Sequence, residues 1–182
     1  MFIAVEGADG TGKTTLCEVL AKKLGALAYT APTKRYLQFT KRIDTGIPLD
    51  ECYRFYRDGV YAASDEIRVR LQNGEKIVCD RYWLTTYTYY QTMGVSVQKD
   101  DFKSVTSPIL TVILALNHDV QIKRMASRGI SDWDRRVLEK QREITAGFFL
   151  NALEFALPFV LLDTQRFSPE ACAEITMSAL KS

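Results

Sequence analysis

The sequence predicts a three-layer α/β/α fold built on a five-stranded parallel sheet. Two observations carry that expectation. Five short apolar runs, residues 2–5, 26–29, 76–79, 110–116 and 159–162, are continuous rather than alternating, as in strands buried on both faces of a parallel sheet. Between them lie segments with apolar residues every three or four positions, the spacing of an amphipathic helix. Strands that alternate with helices imply right-handed crossovers, with helices covering both faces of the sheet.

The chain opens on Met1-Phe2-Ile3-Ala4-Val5, which carries no basic leader and runs at once into Glu6. It is expected to be a strand and not a signal peptide. A helical stretch, residues 15–24, leads to the second strand. Cys52, Tyr56, Val60, Ala63, Ile67 and Leu71 then make one apolar stripe along a long helix, and Asn73-Gly74 ends it. After the third and fourth strands, Val137, Ile144, Phe148, Ala152 and Phe155 make a second stripe. Ser168-Pro169-Glu170 is a helix start, with serine as the cap and proline in the first turn.

Composition narrows the function. Among 182 residues, Lys plus Arg is 24 and Asp plus Glu is 22, a formal net charge of +2. That balance argues against a dedicated nucleic-acid polymer partner while leaving room for a local basic site. No repeat, low-complexity tract or linker divides the chain, so one domain over residues 1–182 is expected. No apolar run approaches the length of a membrane span, and no membrane partner is expected. Cys17, Cys52, Cys79 and Cys172 are scattered with no C-x-x-C pair, which suits a reduced, cytoplasmic protein rather than a zinc or disulfide framework. His118 is the only histidine and is expected in a loop; nothing near it supports a Ser-His-Asp or multi-histidine site.

The strongest chemical signal is Gly7-Ala8-Asp9-Gly10-Thr11-Gly12-Lys13-Thr14, a complete G-x-x-x-x-G-K-T between a strand and a helix. Triphosphate oxygens need several donors in a small space. Glycines let the backbone bend and present its N–H groups, and the helix adds its positive N-terminal end. Lys13 supplies a cation for the β- and γ-phosphates, and the Thr14 hydroxyl is placed to ligate Mg²⁺. The motif implies binding of a nucleoside triphosphate, with Thr15 continuing the site.

Asp80-Arg81-Tyr82 follows the third strand. In a parallel sheet that end faces the same crevice as the phosphate loop. Asp80 can serve the metal, and Arg81 can fork onto a phosphate. Two phosphate-handling groups at one edge suggest transfer between phosphates rather than hydrolysis.

These residues resemble the thymidylate kinases. The opening from Phe2 through Thr15, Asp80-Arg81-Tyr82 with Thr85 and Tyr87-Thr88-Tyr89-Tyr90-Gln91, the helix end Leu71-Gln72-Asn73-Gly74, and the segment Lys123 through Gly129 are all similar to that family's pattern. The resemblance implies a P-loop kinase fold, ATP as donor with Mg²⁺, a nucleoside monophosphate as acceptor with dTMP first among them, and a homodimer. It implies that Asp9 lies near the acceptor's sugar, that Arg81 grips the acceptor phosphate, that Phe55 stacks on the base, and that Thr85 and Tyr89 line the base and sugar pocket. Phe55 also lies off its helix's apolar stripe, free to face a ligand. Arg124 sits where the family packs an arginine on adenine. Arg128 and Arg135 are the candidates for lid charge, in a polar stretch, residues 128–136, expected to close over the site and keep water out.

The chain departs from the family at three places. Thr30-Ala31-Pro32-Thr33-Lys34-Arg35 stands where an Arg-Glu-Pro-Gly-Gly-type segment is usual, with Lys34 or Arg35 as replacements for the charge. Gly59 stands where an arginine reads the base, and Tyr90 where a glutamine is common. The same scaffold acting on another deoxynucleotide or a nucleoside stays open as an alternative, as does a nucleotide-hydrolysing switch. The switch would expect an N-K-x-D segment, which this sequence lacks.

Overall fold

In the computed structural model, which describes residues 1–33, 35, 36, 39, 47–126 and 132–181 (without the side chains of 132–134 and 136), five strands form one sheet in the order β2-β3-β1-β4-β5. They are β1 Phe2–Gly7, β2 Leu27–Thr30, β3 Ile77–Asp80, β4 Leu110–Ala115 and β5 Phe159–Asp163. Every pairing is parallel, and Val5 lies in register with Asp80 on one side and with Val112 on the other. The helices are α1 Lys13–Leu24, α2 Leu49–Gln72, α3 Trp83–Thr92, α4 His118–Ala126, α5 Asp132–Glu139, α6 Gln141–Glu154 and α7 Pro169–Ala179, with a 3₁₀ turn at Lys99–Phe102.

Alternation along β1 explains the three layers. Phe2 and Ala4 join a core with residues of α2, α3 and α6, while Ile3 and Val5 join a second core with residues of α1 and α7. Successive strand side chains point to opposite faces, so a strand apolar at every position packs helices on both sides. Filling these positions is worth about 1.5–3 kcal/mol for each large aliphatic side chain taken from water.

The inner strands meet that expectation: every residue of β1 and β3 is buried, and so is every residue of β4 but Ala115. The edge strands do not. Leu27 on β2 and Leu161 on β5 are exposed, because an edge strand has a neighbour on one side only. The long-helix stripe holds, with Cys52, Val60, Ala63 and Ile67 buried. The second stripe also faces inward, but it is divided between α5 and α6 at Lys140. Ser168 caps α7 by accepting from the Ala171 amide at 3.2 Å, with Pro169 in the first turn. His118 opens α4 rather than lying in a loop. Of the expected lid, residues 128–131 fall outside the described residues, and 132–136 are the first turns of α5 rather than loop. No described helix is long and apolar enough to cross a membrane.

Candidate active site

β1 ends where the phosphate loop must turn away from the sheet. Gly7 has φ 140°, and a Cβ there would stand 2.6 Å from the Leu114 carbonyl oxygen on β4. Only glycine passes that point. Gly12 (φ 93°) then opens α1, its carbonyl accepting from the Leu16 amide at 3.1 Å. The first amides of a helix have no partner within it, and the helix dipole adds positive potential there, so this loop and helix start form a seat for an anion.

The Thr11 hydroxyl fastens the loop by donating to the Ala8 carbonyl at 2.8 Å. The Lys13 ammonium, buried, donates to the same carbonyl at 2.7 Å. Burial, reinforced by the charge of Arg81, lowers the Lys13 pKa to about 8 against the opposing pull of Asp9. A triphosphate would add negative charge beside this ammonium and favour its protonated form.

Beside it, β3 delivers Asp80 and Arg81. The Thr14 hydroxyl donates to Asp80 Oδ2 at 2.5 Å, while the buried Oδ1 of the same carboxylate has no hydrogen-bond partner. An orphaned buried carboxylate oxygen next to a hydroxyl is a hard-oxygen donor pair suited to Mg²⁺, which typically takes few protein ligands and completes its shell with water and phosphate. Arg81 has φ 65°, a left-handed conformation costly for a residue with a side chain. Its guanidinium pairs with Asp9 at the crest of the phosphate loop. Burial alone would raise the Asp9 pKa, but Arg81 and Lys13 together hold its carboxyl well below the usual carboxylate range.

Tyr89 on α3 completes the cluster. Its hydroxyl accepts from the Asp9 amide at 3.1 Å and donates to Asp9 Oδ2 at 2.9 Å. Burial and the Asp9 charge keep that phenol protonated far above neutral pH. Tyr87 and Tyr90 pack into the core instead, against Phe155 and Tyr53. The phosphate loop, Asp80, Arg81 and Arg124 line one cavity of about 270 Å³, below the roughly 300–1,000 Å³ of pockets that bury a whole small-molecule ligand and suited to phosphate groups. Arg124 donates to the Thr164 carbonyl after β5 at 3.2 Å.

The remaining sequence candidates are placed as follows. Phe55 is half-buried, its ring against Tyr36 at 5.2 Å and Tyr56 at 5.4 Å. Thr85 turns its hydroxyl onto Glu6. Arg135 is exposed on α5 and Arg35 is exposed beyond β2, whereas Arg128 and Lys34 lie outside the described residues. Gly59 is not an open position missing its base reader: a Cβ there would stand 2.7 Å from Pro32 Cβ and 3.2 Å from the Tyr36 ring, so those two side chains already occupy the space. Cys17 and Cys79 are buried, which pushes both thiols well up and leaves neither as a nucleophile.

Two participants escape the motif reading. Gln121 of α4 donates to the Asp9 carbonyl. Glu6, 1% exposed within β1, accepts from Thr85. Burial raises the Glu6 pKa to about 7, against the pull of the Thr85 hydroxyl, the Tyr82 amide, Arg81 and Lys13. A carboxylate inside an otherwise apolar strand was the available signal.

Several known proteins are similar to this chain. A "deoxyadenosine kinase from M. mycoides with bound dATP" superposes with a TM-score of 0.71 over the whole of both chains at 20% identity, a likeness of fold. A probable thymidylate kinase of Archaeoglobus fulgidus is 29% identical over 165 residues, 85% of this chain and 83% of that one. A probable thymidylate kinase of Pyrobaculum calidifontis is 33% identical over 136 residues, 70% of each chain. The thymidylate kinase of Deinococcus radiodurans is 28% identical across an alignment that covers 96% of this chain and 94% of that one. The family model for thymidylate kinase matches residues 5–175, from the middle of β1 to within α7, and the chain belongs to that phosphotransferase family.

Proposed function

We propose that this chain transfers the γ-phosphoryl group of ATP to a nucleoside monophosphate, dTMP, giving two diphosphates. The observation that carries the reading is the Arg81–Asp9 pair. It joins the crest of the phosphate loop to the end of β3, so that Lys13 and Arg81 serve one cavity from two sides. A polyphosphate seated at Lys13 would present its terminal phosphorus to an acceptor phosphate held by Arg81.

The acceptor's phosphate oxygen is already nucleophilic near neutral pH, so alignment and charge neutralisation dominate catalysis. A nucleoside hydroxyl would need a base, and Asp9, held ionised by two cations, is a weak proton acceptor. Lys13 and the amides of residues 10–15 would bind the donor phosphates, and Arg124 would flank adenine. Thr14 and Asp80 would hold Mg²⁺, which supplies neutralisation of phosphate charge. Phe55 and Tyr36 would wall the acceptor base, and Tyr89 and Asp9 would meet its sugar. Arg135 and Arg128 would bring positive charge to the transferring group.

We also infer one domain acting as a homodimer. The exposed apolar side chains Phe149, Leu150 and Leu153 on α6 support a face that a second copy covers.

A panel with ATP and Mg²⁺, comprising the five common deoxynucleoside monophosphates, thymidine and no acceptor, tests the reading through ADP formed. ADP is expected to appear with dTMP fastest and to be negligible without acceptor. Equal rates with and without acceptor would overturn it, and turnover of thymidine in preference to dTMP would overturn the choice of acceptor.

A further inference from the structure

We propose that Glu6 is a positioning residue that holds the Arg81 turn in the shape that meets the acceptor phosphate. This rests on the reading of Arg81 as the acceptor grip.

Arg81 adopts φ 65°, and a non-glycine residue stays in that region only where its surroundings over-determine it. β1 supplies the constraint at both ends of the turn. Before it, Asp80 is in register with Val5, and the Val5 carbonyl accepts from the Arg81 amide at 2.9 Å. After it, the start of α3 lacks a cap of its own: Tyr82 at the N-cap makes no side-chain cap bond. Glu6, the next residue of β1, faces that helix start and accepts from the Thr85 hydroxyl in its first turn, and the Tyr82 amide also lies close enough to favour its ionised form. Consecutive residues of one strand thus bracket the strained residue. The Glu6–Thr85 bond spans 79 positions of sequence and ties the helix carrying Tyr89 to the strand that leads into the phosphate loop.

On this account the Thr85 hydroxyl faces the scaffold and acts on the acceptor through Arg81. A carboxylate taken from water with so few partners costs stability, so retaining it calls for a compensating role, and the geometry assigns one.

The test measures steady-state constants for ATP and dTMP with R81A as the reference, alongside E6A, E6Q, T85V, T85S and the double variant E6A/T85V. E6A and T85V are each expected to raise the dTMP KM about 10- to 100-fold, the range for losing a hydrogen bond to a charged group, with the ATP KM within about twofold. T85S, which keeps the hydroxyl, restores near-parental values, and E6Q falls between. The double variant is no worse than the worse single one, because both remove one bond. Loss of thermal stability with no change in the dTMP KM, ATP and dTMP constants moving together, or fully multiplicative effects in the double variant would each overturn the proposal. If E6A does not fold, T85V and T85S test the same bond from its other side. If R81A itself leaves the dTMP KM unchanged, the proposed function fails; if R81A raises it and both E6A and T85V do not, only this inference fails.

Discussion

Replacing Arg81 by alanine is expected to lower kcat/KM for the monophosphate acceptor by about 10²–10³ while leaving the ATP KM within about twofold. A planar, permanently charged fork is the group best matched to phosphate geometry, and removing one preorganised donor to developing charge typically costs that much. Backbone strain complicates the alanine variant, because Arg81 sits at φ 65° and alanine keeps the Cβ that makes this conformation costly. Glycine removes the same guanidinium without the Cβ. R81A and R81G should therefore be equally impaired with acceptor, with R81G the more thermally stable of the two by the margin of one left-handed residue, about 1–2 kcal/mol. An R81G enzyme with near-parental acceptor kinetics would show that the turn, rather than the cation, matters.

Lys13→Met is expected to reduce turnover by at least about 10²–10³ with every acceptor alike, because the proposed role of the lysine is on the donor phosphates that all reactions share. The fold should survive the change. Methionine has similar length, and the ammonium it replaces is buried at a cost that lowers its pKa to about 8. The sign of that shift gives a second readout. Below pH 8 Lys13 is charged in the folded protein, so its burial cost is fully present there and fades toward the unfolded value of about 10.4. Phosphate binding favours the charged form. Parental ATP affinity should therefore fall as the pH rises through 8, and this dependence should be absent in K13M. A K13M protein that turns over within tenfold of the parent would remove the phosphate loop from the chemistry.

Much of this architecture was legible because it depends on local pattern. Continuous apolar runs mark the inner strands correctly, since β1 and β3 are covered by helices on both faces. The same rule overstates β2 and β5, where Leu27 and Leu161 are as apolar as their inner counterparts yet exposed; an edge is a property of strand order, which composition does not encode. The stripe from Val137 to Phe155 marks the buried face but not the break at Lys140, because a one-residue interruption barely disturbs a 3.6-residue period. The phosphate loop at the heart of the donor half is contiguous in sequence, and its motif was readable for that reason. The acceptor half is assembled across the fold. The bond from Thr85 to Glu6, the tyrosine that reaches Asp9 from α3, and the occupation of the Gly59 position by Pro32 and Tyr36 all join residues that no spacing rule connects. Gly59 shows the consequence. Read along the chain it is a missing arginine, whereas in space it is the close approach that lets an aromatic ring lie beside Phe55.

In the proposed reaction two anionic ligands meet end to end, one cradled by Lys13 and the other clasped by Arg81. Binding of a bisubstrate analogue, adenosine and thymidine joined through their 5′ positions by a polyphosphate chain, tests this most directly by calorimetry on the parental chain, K13M and R81A. The analogue is expected to bind at least about 10²-fold more tightly than ATP or dTMP alone, since one molecule gathers both sites, and either substitution alone is expected to abolish most of that gain. An analogue that binds no better than ATP, or that binds R81A as tightly as the parental chain, would contradict it.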